Sequence, residues 1–114
     1  AVAVDTVSDI LYIPTLSNSI LVYDQASTTN GLVSPDRTIA GSATKISTPF
    51  GIFVDSSNNL LYVANSGANA VLVFNNASTA TGNIAPNRTI AQGTDPVNET
   101  TLNAPLGIFV DSTR

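Results

Sequence analysis

The stretch GIFVDSSNNLLYVANS, from Gly51 to Ser66, carries the pattern that decides the fold class. Two short runs rich in Val, Ile, Leu, Phe and Tyr enclose DSSNN, a tract of residues that favour tight turns. This pattern predicts two antiparallel strands joined by a hairpin. The first half returns as GIFVDS at Gly107–Ser112, and a related form, VAVDTVSDILYIP, occupies Val2–Pro14. The stretch is therefore part of an internal repeat.

The repeat covers nearly the whole chain. SILVYDQASTTNGLVSPDRTIAG at Ser19–Gly41 aligns with AVLVFNNASTATGNIAPNRTIAQG at Ala70–Gly93. Asp5 recurs 50 residues later as Asp55, which recurs 56 residues later as Asp111. We therefore divide the single segment 1–114 into a first copy over about 2–50 and a second over about 51–106. The opening strand of a third copy is expected over 107–111.

Each copy contains four β-type runs separated by polar, turn-rich segments. In the second copy the runs are Ile52–Val54, Leu60–Ala64, Ala70–Phe74 and Arg88–Ala91. The third run, AVLVF, and its counterpart SILVY are apolar at consecutive positions, which predicts strands covered on both faces. A four-stranded meander between two neighbours matches one blade of a β-propeller. The expected fold is all-β, with two four-stranded antiparallel blades and the first strand of a third.

Composition excludes several kinds of site. The chain has no Cys and no His, so thiolate, Ser-His-Asp and histidine–zinc chemistry are impossible within it. Four basic residues are scattered against eight acidic ones, which leaves no footprint for nucleic acid. No apolar stretch approaches the about 18 residues that a membrane-spanning helix needs. We therefore expect neither nucleic-acid binding nor membrane insertion.

The repeat resembles NHL-type β-propeller repeats of a bacterial variety. The resemblance lies in P-x-G-I-x-V-D, then N-x-L-Y-V-A-N, then V-x-V-F, and Leu61–Ile90 is closer to the family pattern than Leu11–Ile39. It implies a scaffold for recognising protein, glycan or small molecules, and some relatives carry lactonase or lyase activity. A closed propeller needs about four blades or more. The expected partners are therefore other blades of a larger propeller or identical chains that complete a ring.

Two turns in each copy are expected on one side of the ring, because successive strands alternate in direction. Polar side chains beside an aromatic ring at such loops suit a sugar or a peptide. The alternative is ordinary turn chemistry, with the aromatic ring filling a gap between blades. The candidate ligand-binding residues are Thr15, Asn18, Phe50, Asn65 and Asn69.

Asp5, Asp55 and Asp111 recur at the end of the first strand of each copy. Carboxylates at equivalent blade positions could ring a channel and bind Ca²⁺. Alternatively, each Asp accepts hydrogen bonds from the turn that follows it. The second alternative is preferred because the turn sequence DSSNN follows directly, so no cofactor is expected.

The favoured function is a non-enzymatic recognition or structural module of an extracellular, cell-surface or periplasmic propeller that binds protein or glycan. Only 11% of residues are charged, so Ser, Thr and Asn supply the polar surface, as is usual for secreted β-proteins. One alternative is a lactonase- or lyase-like propeller enzyme with a metal in its channel. Another is a self-assembling subunit of a fibre or surface layer. In every case an uncovered apolar blade face should promote association, so a free monomer is not expected.

Overall fold

A computed structural model of the chain describes residues 1–91 and 102–112. The all-β expectation is confirmed: these residues contain strands and short 3₁₀ turns but no α-helix. The strands are β1 Ala3–Asp5, β2 Ile10–Thr15, β3 Ser19–Asp24, β4 Arg37–Ala40, β5 Pro49–Asp55, β6 Leu60–Asn65, β7 Ala70–Asn75 and β8 Arg88–Ala91. The 3₁₀ turns are Ala26–Thr28, Ser42–Thr44, Ser66–Ala68 and Ala77–Thr79. No helix in these ranges is long and apolar enough to cross a membrane.

The strands form two four-stranded antiparallel sheets, as the repeat predicts. The first sheet has the order β1-β2-β3-β4 and the second has the order β5-β6-β7-β8. The two registers are the same at equivalent positions. In the first sheet, one cross-strand row is Ala3, Tyr12, Val22 and Arg37. In the second sheet, the equivalent row is Phe53, Tyr62, Val73 and Arg88.

Tight turns join the strands through Asp and Asn residues in the left-handed region. Asp9 and its equivalent Asn59 have φ of 59° and 56°, and both end the turn before the second strand of a sheet. Asp and Asn tolerate this conformation better than other non-glycine residues. The Asp9 side chain accepts a hydrogen bond from Ser27 N, and the Asn59 side chain accepts one from Ser78 N. The two copies thus share local hydrogen bonds as well as strand order.

The core lies between the sheets and uses one face of each. β1 and β2 contact β5, so the first strand of one sheet lies beside the first strand of the next. Alternate residues on each strand point into this layer because side chains alternate along a strand. The first sheet supplies Ala3, Ile10, Tyr12, Ile20, Val22 and Ile39. The second sheet supplies Ile52, Leu61, Val63, Ala70, Leu72 and Phe74.

The third strands differ in how fully they are covered. On β7, Leu72, Val73 and Phe74 are all buried, as a strand covered on both faces should be. On β3, Leu21 and Tyr23 are only half-buried, although Val22 between them is fully buried. Within the described residues only one face of the first sheet packs against a second sheet, so the cover expected on the other face of β3 stays a prediction.

Residues 107–111 do not form the predicted additional strand. The segment lies against β5: the Phe109 and Phe53 rings meet edge to face with centroids 5.3 Å apart. A Cβ atom on Gly51 would overlap the Leu106 carbonyl oxygen, so the two backbones approach closely. A strand is defined by a hydrogen-bonded ladder with a neighbour. Among the described residues, no strand forms such a ladder with this segment.

Candidate functional site

The predicted ligand-binding residues lie at one end of the two sheets, where the structure uses most of them internally. Asn18, in the turn between β2 and β3, accepts a hydrogen bond at Oδ1 from Thr48 N at 2.8 Å. Asn69, in the equivalent turn of the second copy, accepts one at Oδ1 from Ala104 N at 2.7 Å. Each turn amide therefore binds the backbone that enters the following copy. This recurrence identifies a structural role for both side chains.

Asn65 is fully buried, and both atoms of its amide are satisfied within the protein. Its Oδ1 accepts a hydrogen bond from Ser47 N at 2.7 Å, and its Nδ2 donates to Lys45 O at 2.8 Å. The side chain thus fixes the loop that precedes β5. Thr15, at the equivalent position of the first copy, shares a hydroxyl–hydroxyl hydrogen bond of 2.7 Å with Ser19.

Phe50 is the predicted site residue whose side chain remains available. It is 41% exposed, beside the bulge that interrupts the pairing of β5 with β6. Leu106 holds the equivalent position of the next copy and is also exposed. Asn18 and Asn69 bind the backbone of Thr48 and Ala104, each two residues before one of these apolar side chains. The polar residues therefore position an apolar surface at this end.

The recurrent aspartates follow the turn-capping alternative in both full copies. Asp5 Oδ1 accepts hydrogen bonds from Val7 N and Ser8 N at 2.9 and 3.0 Å. Asp55 accepts from Asn58 Nδ2 and Ser57 Oγ, each at 2.8 Å. The side-chain hydrogen bond from Asn58 is the largest influence that lowers the pKa of Asp55 below 3.8.

The third aspartate, Asp111, is exposed and lies in the segment beside β5. Within residues 1–91 and 102–112, no three acidic side chains come close enough to hold a metal ion together. The described geometry thus does not bring Asp5, Asp55 and Asp111 into one cation site.

Arg37 makes a contact between the sheets that the sequence did not indicate. Its Nη2 lies 3.0 Å from Asp24 Oδ1, with which it forms an ion pair within the first sheet. Its Nη1 also donates to Ala80 O at 2.6 Å and to Ala77 O at 3.3 Å, both in the loop after β7. The arginine therefore joins β4 of the first sheet to a loop of the second.

Tyr12 lies beneath this arginine in the cross-strand row of the first sheet. Burial raises the pKa of the Tyr12 hydroxyl, and the nearby Arg37 guanidinium opposes that shift. A phenol with a raised pKa stays neutral at physiological pH, so Tyr12 serves the core and supplies no charge.

A cleft of about 280 Å³ opens beside the loop that follows β3. Its lining is mostly polar and comes from Tyr23, Asp24, Gln25, Thr28, Thr29, Asn30, Val33, Ser34 and Asp36. This loop is the equivalent of the one that receives Arg37 after β7, since both contain the triplet Ala-Ser-Thr. Thr29, which lines the cleft, is the equivalent of Ala80, whose carbonyl accepts a hydrogen bond from Arg37.

Comparison with models of known protein families gives no match, and the search of curated proteins gives none either. The resemblance to NHL-type repeats therefore depends on the repeated motifs of this chain and stays a prediction.

Proposed function

We propose that the chain is a pair of neighbouring β-propeller blades that serves as a non-enzymatic recognition or structural module. The observation that carries this proposal is the packing of the sheets, in which the first strand β5 lies beside β1 and β2 and one shared core lies between the sheets. Neighbouring blades of a propeller meet in this way, face to face around a channel lined by their first strands. The polar, weakly charged composition favours a location outside the cytoplasm, at the cell surface or in the periplasm.

The recognition surface proposed is the end that carries Phe50 and Leu106. Loops held by a rigid sheet are the usual places for binding residues. An exposed aromatic ring among Ser, Thr and Asn side chains suits the apolar face of a sugar or a peptide side chain. The internal hydrogen bonds of Asn18 and Asn69 support this surface by holding the neighbouring backbone in place.

A binding experiment tests the recognition surface. The purified chain and its Phe50→Ala variant would be applied to a panel of immobilised oligosaccharides and to immobilised peptides. We expect the chain to bind a subset of one panel and the variant to bind that subset at least about tenfold more weakly, because the ring is the main apolar contact.

The matched control is Val7→Ala, which removes an exposed apolar side chain in the turn between β1 and β2. That turn lies at the opposite end of the first sheet from the turn between β2 and β3. Val7→Ala should bind as well as the parent chain. Equal loss in both variants, or binding that is indifferent to Phe50, would contradict the placement of the surface.

A further inference from the structure

Within the described residues, no third sheet packs on one face of the second sheet: Val73 on that face is buried, but Arg88 and Ile90 are exposed. The equivalent face of the first sheet is covered. This far face of the second sheet consists of Phe53, Tyr62, Val71, Val73, Arg88 and Ile90. Its equivalents in the first sheet pack against the second sheet. Ile39 is 0% exposed, whereas its equivalent Ile90 is 49% exposed. Tyr12 is fully buried, whereas Tyr62 is partly exposed. The repeat therefore shows that a sheet of the same kind fits the far face.

The outer face of the first sheet supplies the matching surface. This outer face consists of Val4, Leu11, Ile13, Leu21 and Tyr23. Its equivalents are Val54, Leu61, Val63, Leu72 and Phe74, which pack in or against the core. The two uncovered faces of one chain are thus equivalents of the two faces that already pack together within it. The far face of one copy is therefore complementary to the outer face of another copy, and this contact arranges the copies head to tail.

Both the donor and the acceptors of the arginine contact have equivalents that do not contact each other within the chain. Arg37 of the first sheet donates to Ala77 O and Ala80 O of the second. The equivalent carbonyl groups in the first copy belong to Ala26 and Thr29, and Thr29 lines the cleft after β3. The equivalent arginine is Arg88, which is exposed and stacks 6.0 Å over the Tyr62 ring. The chain therefore presents an arginine on one face and a receiving cleft on the other.

A backbone contact beside the arginine also has an uncovered equivalent. Gly82 N donates to Thr38 O at 2.7 Å, and Ala40 N donates to Gly82 O at 3.1 Å. Gly31 is the equivalent of Gly82 and has the same φ of +80°, and at both positions the Cβ site is open. Next to it, Leu32 is wholly exposed. This loop therefore has the backbone conformation of its equivalent, but among residues 1–91 and 102–112 no strand edge pairs with it.

Segment 104–111 could take the place of β1 in a sheet that docks on the far face. The segment lies on β5 with Phe109 against Phe53, where the first strand of a third sheet would lie. β1 pairs with β2 through only three residues; Val4 within β1 and Val2 just before it are both exposed. In contrast, the longer β5 pairs with β6 from Pro49 to Asp55. The segment repeats the sequence of the longer strand β5. It should therefore pair with β2 of a second copy more strongly than β1 does.

From these observations we infer that a second copy of this chain docks head to tail on the far face of the second sheet. Arg88 enters the cleft after β3 of the second copy and donates to its Ala26 and Thr29 carbonyl groups. Segment 104–111 replaces β1 of the second copy beside its β2. This inference depends on the proposed blade packing, since the intermolecular contact repeats the intramolecular one.

Cross-linking of introduced cysteines tests the contact, because the chain has no cysteine of its own. Thr89→Cys and Asn30→Cys are the equivalents of positions 38 and 81, which lie beside the Gly82 backbone contact. A short bismaleimide should give a cross-linked dimer when the two variants are mixed and monomers when each is treated alone. Dimers from either variant alone, or no dimer from the mixture, would overturn the head-to-tail contact.

A second set of variants tests the residues by analytical ultracentrifugation. Arg88→Ala should weaken association at least about tenfold, because it removes charge-assisted hydrogen bonds. Lys45→Ala removes another exposed cation, in the loop before β5, and should leave association unchanged. A chain ending at residue 103 should associate more weakly, whereas a chain starting at residue 6 should associate as well as the parent. A parent chain that is monomeric at all concentrations would overturn the inference.

The double variant Thr38→Cys with Thr81→Cys separates failure of the inference from failure of the proposed function. Cross-linking within one chain confirms the packing of the two sheets. If the intramolecular cross-link forms while the intermolecular one does not, the inferred docking of a second copy is wrong and the packing of the two blades stands. If it does not form, the packing of the blades is wrong, and the proposed function fails with it.

Discussion

At the scale of single residues, amide and carboxylate side chains at turns connect one repeat to the next. Asn65 fixes the loop before β5, while Asn18 and Asn69 bind the backbone that enters the following copy. Each side chain accepts a hydrogen bond from a backbone N–H that has no partner in a strand ladder. The sequence showed that these residues recur at turns. It did not show their hydrogen-bond partners, which lie between 18 and 35 residues away in the chain.

Asn65 should contribute more to stability than Asn69. Asn65→Ala removes a fully buried side chain and its hydrogen bonds with Ser47 N and Lys45 O, and we expect it to lower the free energy of unfolding by about 2–4 kcal/mol. Asn69→Ala removes one exposed hydrogen bond, and we expect a loss of about 0.5–1.5 kcal/mol. Urea unfolding followed by circular dichroism measures both. Equal losses would show that burial of Asn65 does not decide its contribution.

The Asn58–Asp55 hydrogen bond should make stability depend on pH in the acid range. The pKa of Asp55 is lowered below 3.8 in the folded protein. Its contribution is therefore present above 3.8 and is lost as the pH falls through the folded value. Asn58→Ala should lower the free energy of unfolding by about 1–2 kcal/mol near neutral pH. The difference should shrink in acid, as the pH falls through the folded pKa and the carboxyl becomes protonated in both proteins.

Urea unfolding near neutral pH and in acid measures the difference in stability between the parent chain and Asn58→Ala. Asn30→Ala is a suitable control, since Asn30 is an exposed loop residue remote from Asp55 in sequence. A difference between parent and Asn58→Ala that is as large in acid as at neutral pH would contradict an electrostatic origin.

At the scale of elements, the four strands of each copy could be read from the sequence because their apolar runs are bounded by turn residues. The predicted strand over Ile52–Val54 proved longer, since β5 begins at Pro49 and includes a bulge. The strand predicted over 107–111 is not one, although its sequence repeats that of β5. The difference is that β5 has β6 as its partner. Sequence determines the tendency to extend, and a neighbour decides whether a strand forms.

Gly51 should control how segment 104–112 lies on β5. A Cβ atom at position 51 would overlap the Leu106 carbonyl oxygen, so Gly51→Ala should push the segment away. Gly107→Ala is the matched control, since nothing lies within 4 Å of its Cβ position. Hydrogen exchange at the Ala104 amide, which donates to Asn69, should become at least about tenfold faster in Gly51→Ala only. Unchanged exchange would contradict the close contact.

At the scale of the whole molecule, stability comes from the layer between the sheets. Neither sheet has a core of its own, because each buries its apolar residues on the other. A small isolated sheet with one uncovered apolar face is marginal in water. The two copies therefore fold as one unit even though they are separate in sequence.

A fragment of residues 1–47 should not fold alone. It contains the whole first sheet but lacks Leu61, Leu72 and Phe74, which cover that sheet in the full chain. We expect a nuclear magnetic resonance spectrum with the narrow amide dispersion of an unfolded chain, whereas the full chain gives a dispersed one. A folded, soluble fragment would show that the first sheet is stable without its neighbour.

The sequence by itself determined the strand order, the repeat and the turn positions of this protein. These features follow from local patterns: apolar runs of strand length, residues that accept a left-handed conformation, and recurrence along the chain. The tertiary structure alone decided which face of each sheet is buried, that Arg37 bonds across to Ala77 and Ala80, and that Asn18 and Asn69 have structural roles. Those outcomes depend on contacts between residues distant in the chain, and local sequence does not encode the distance between such groups.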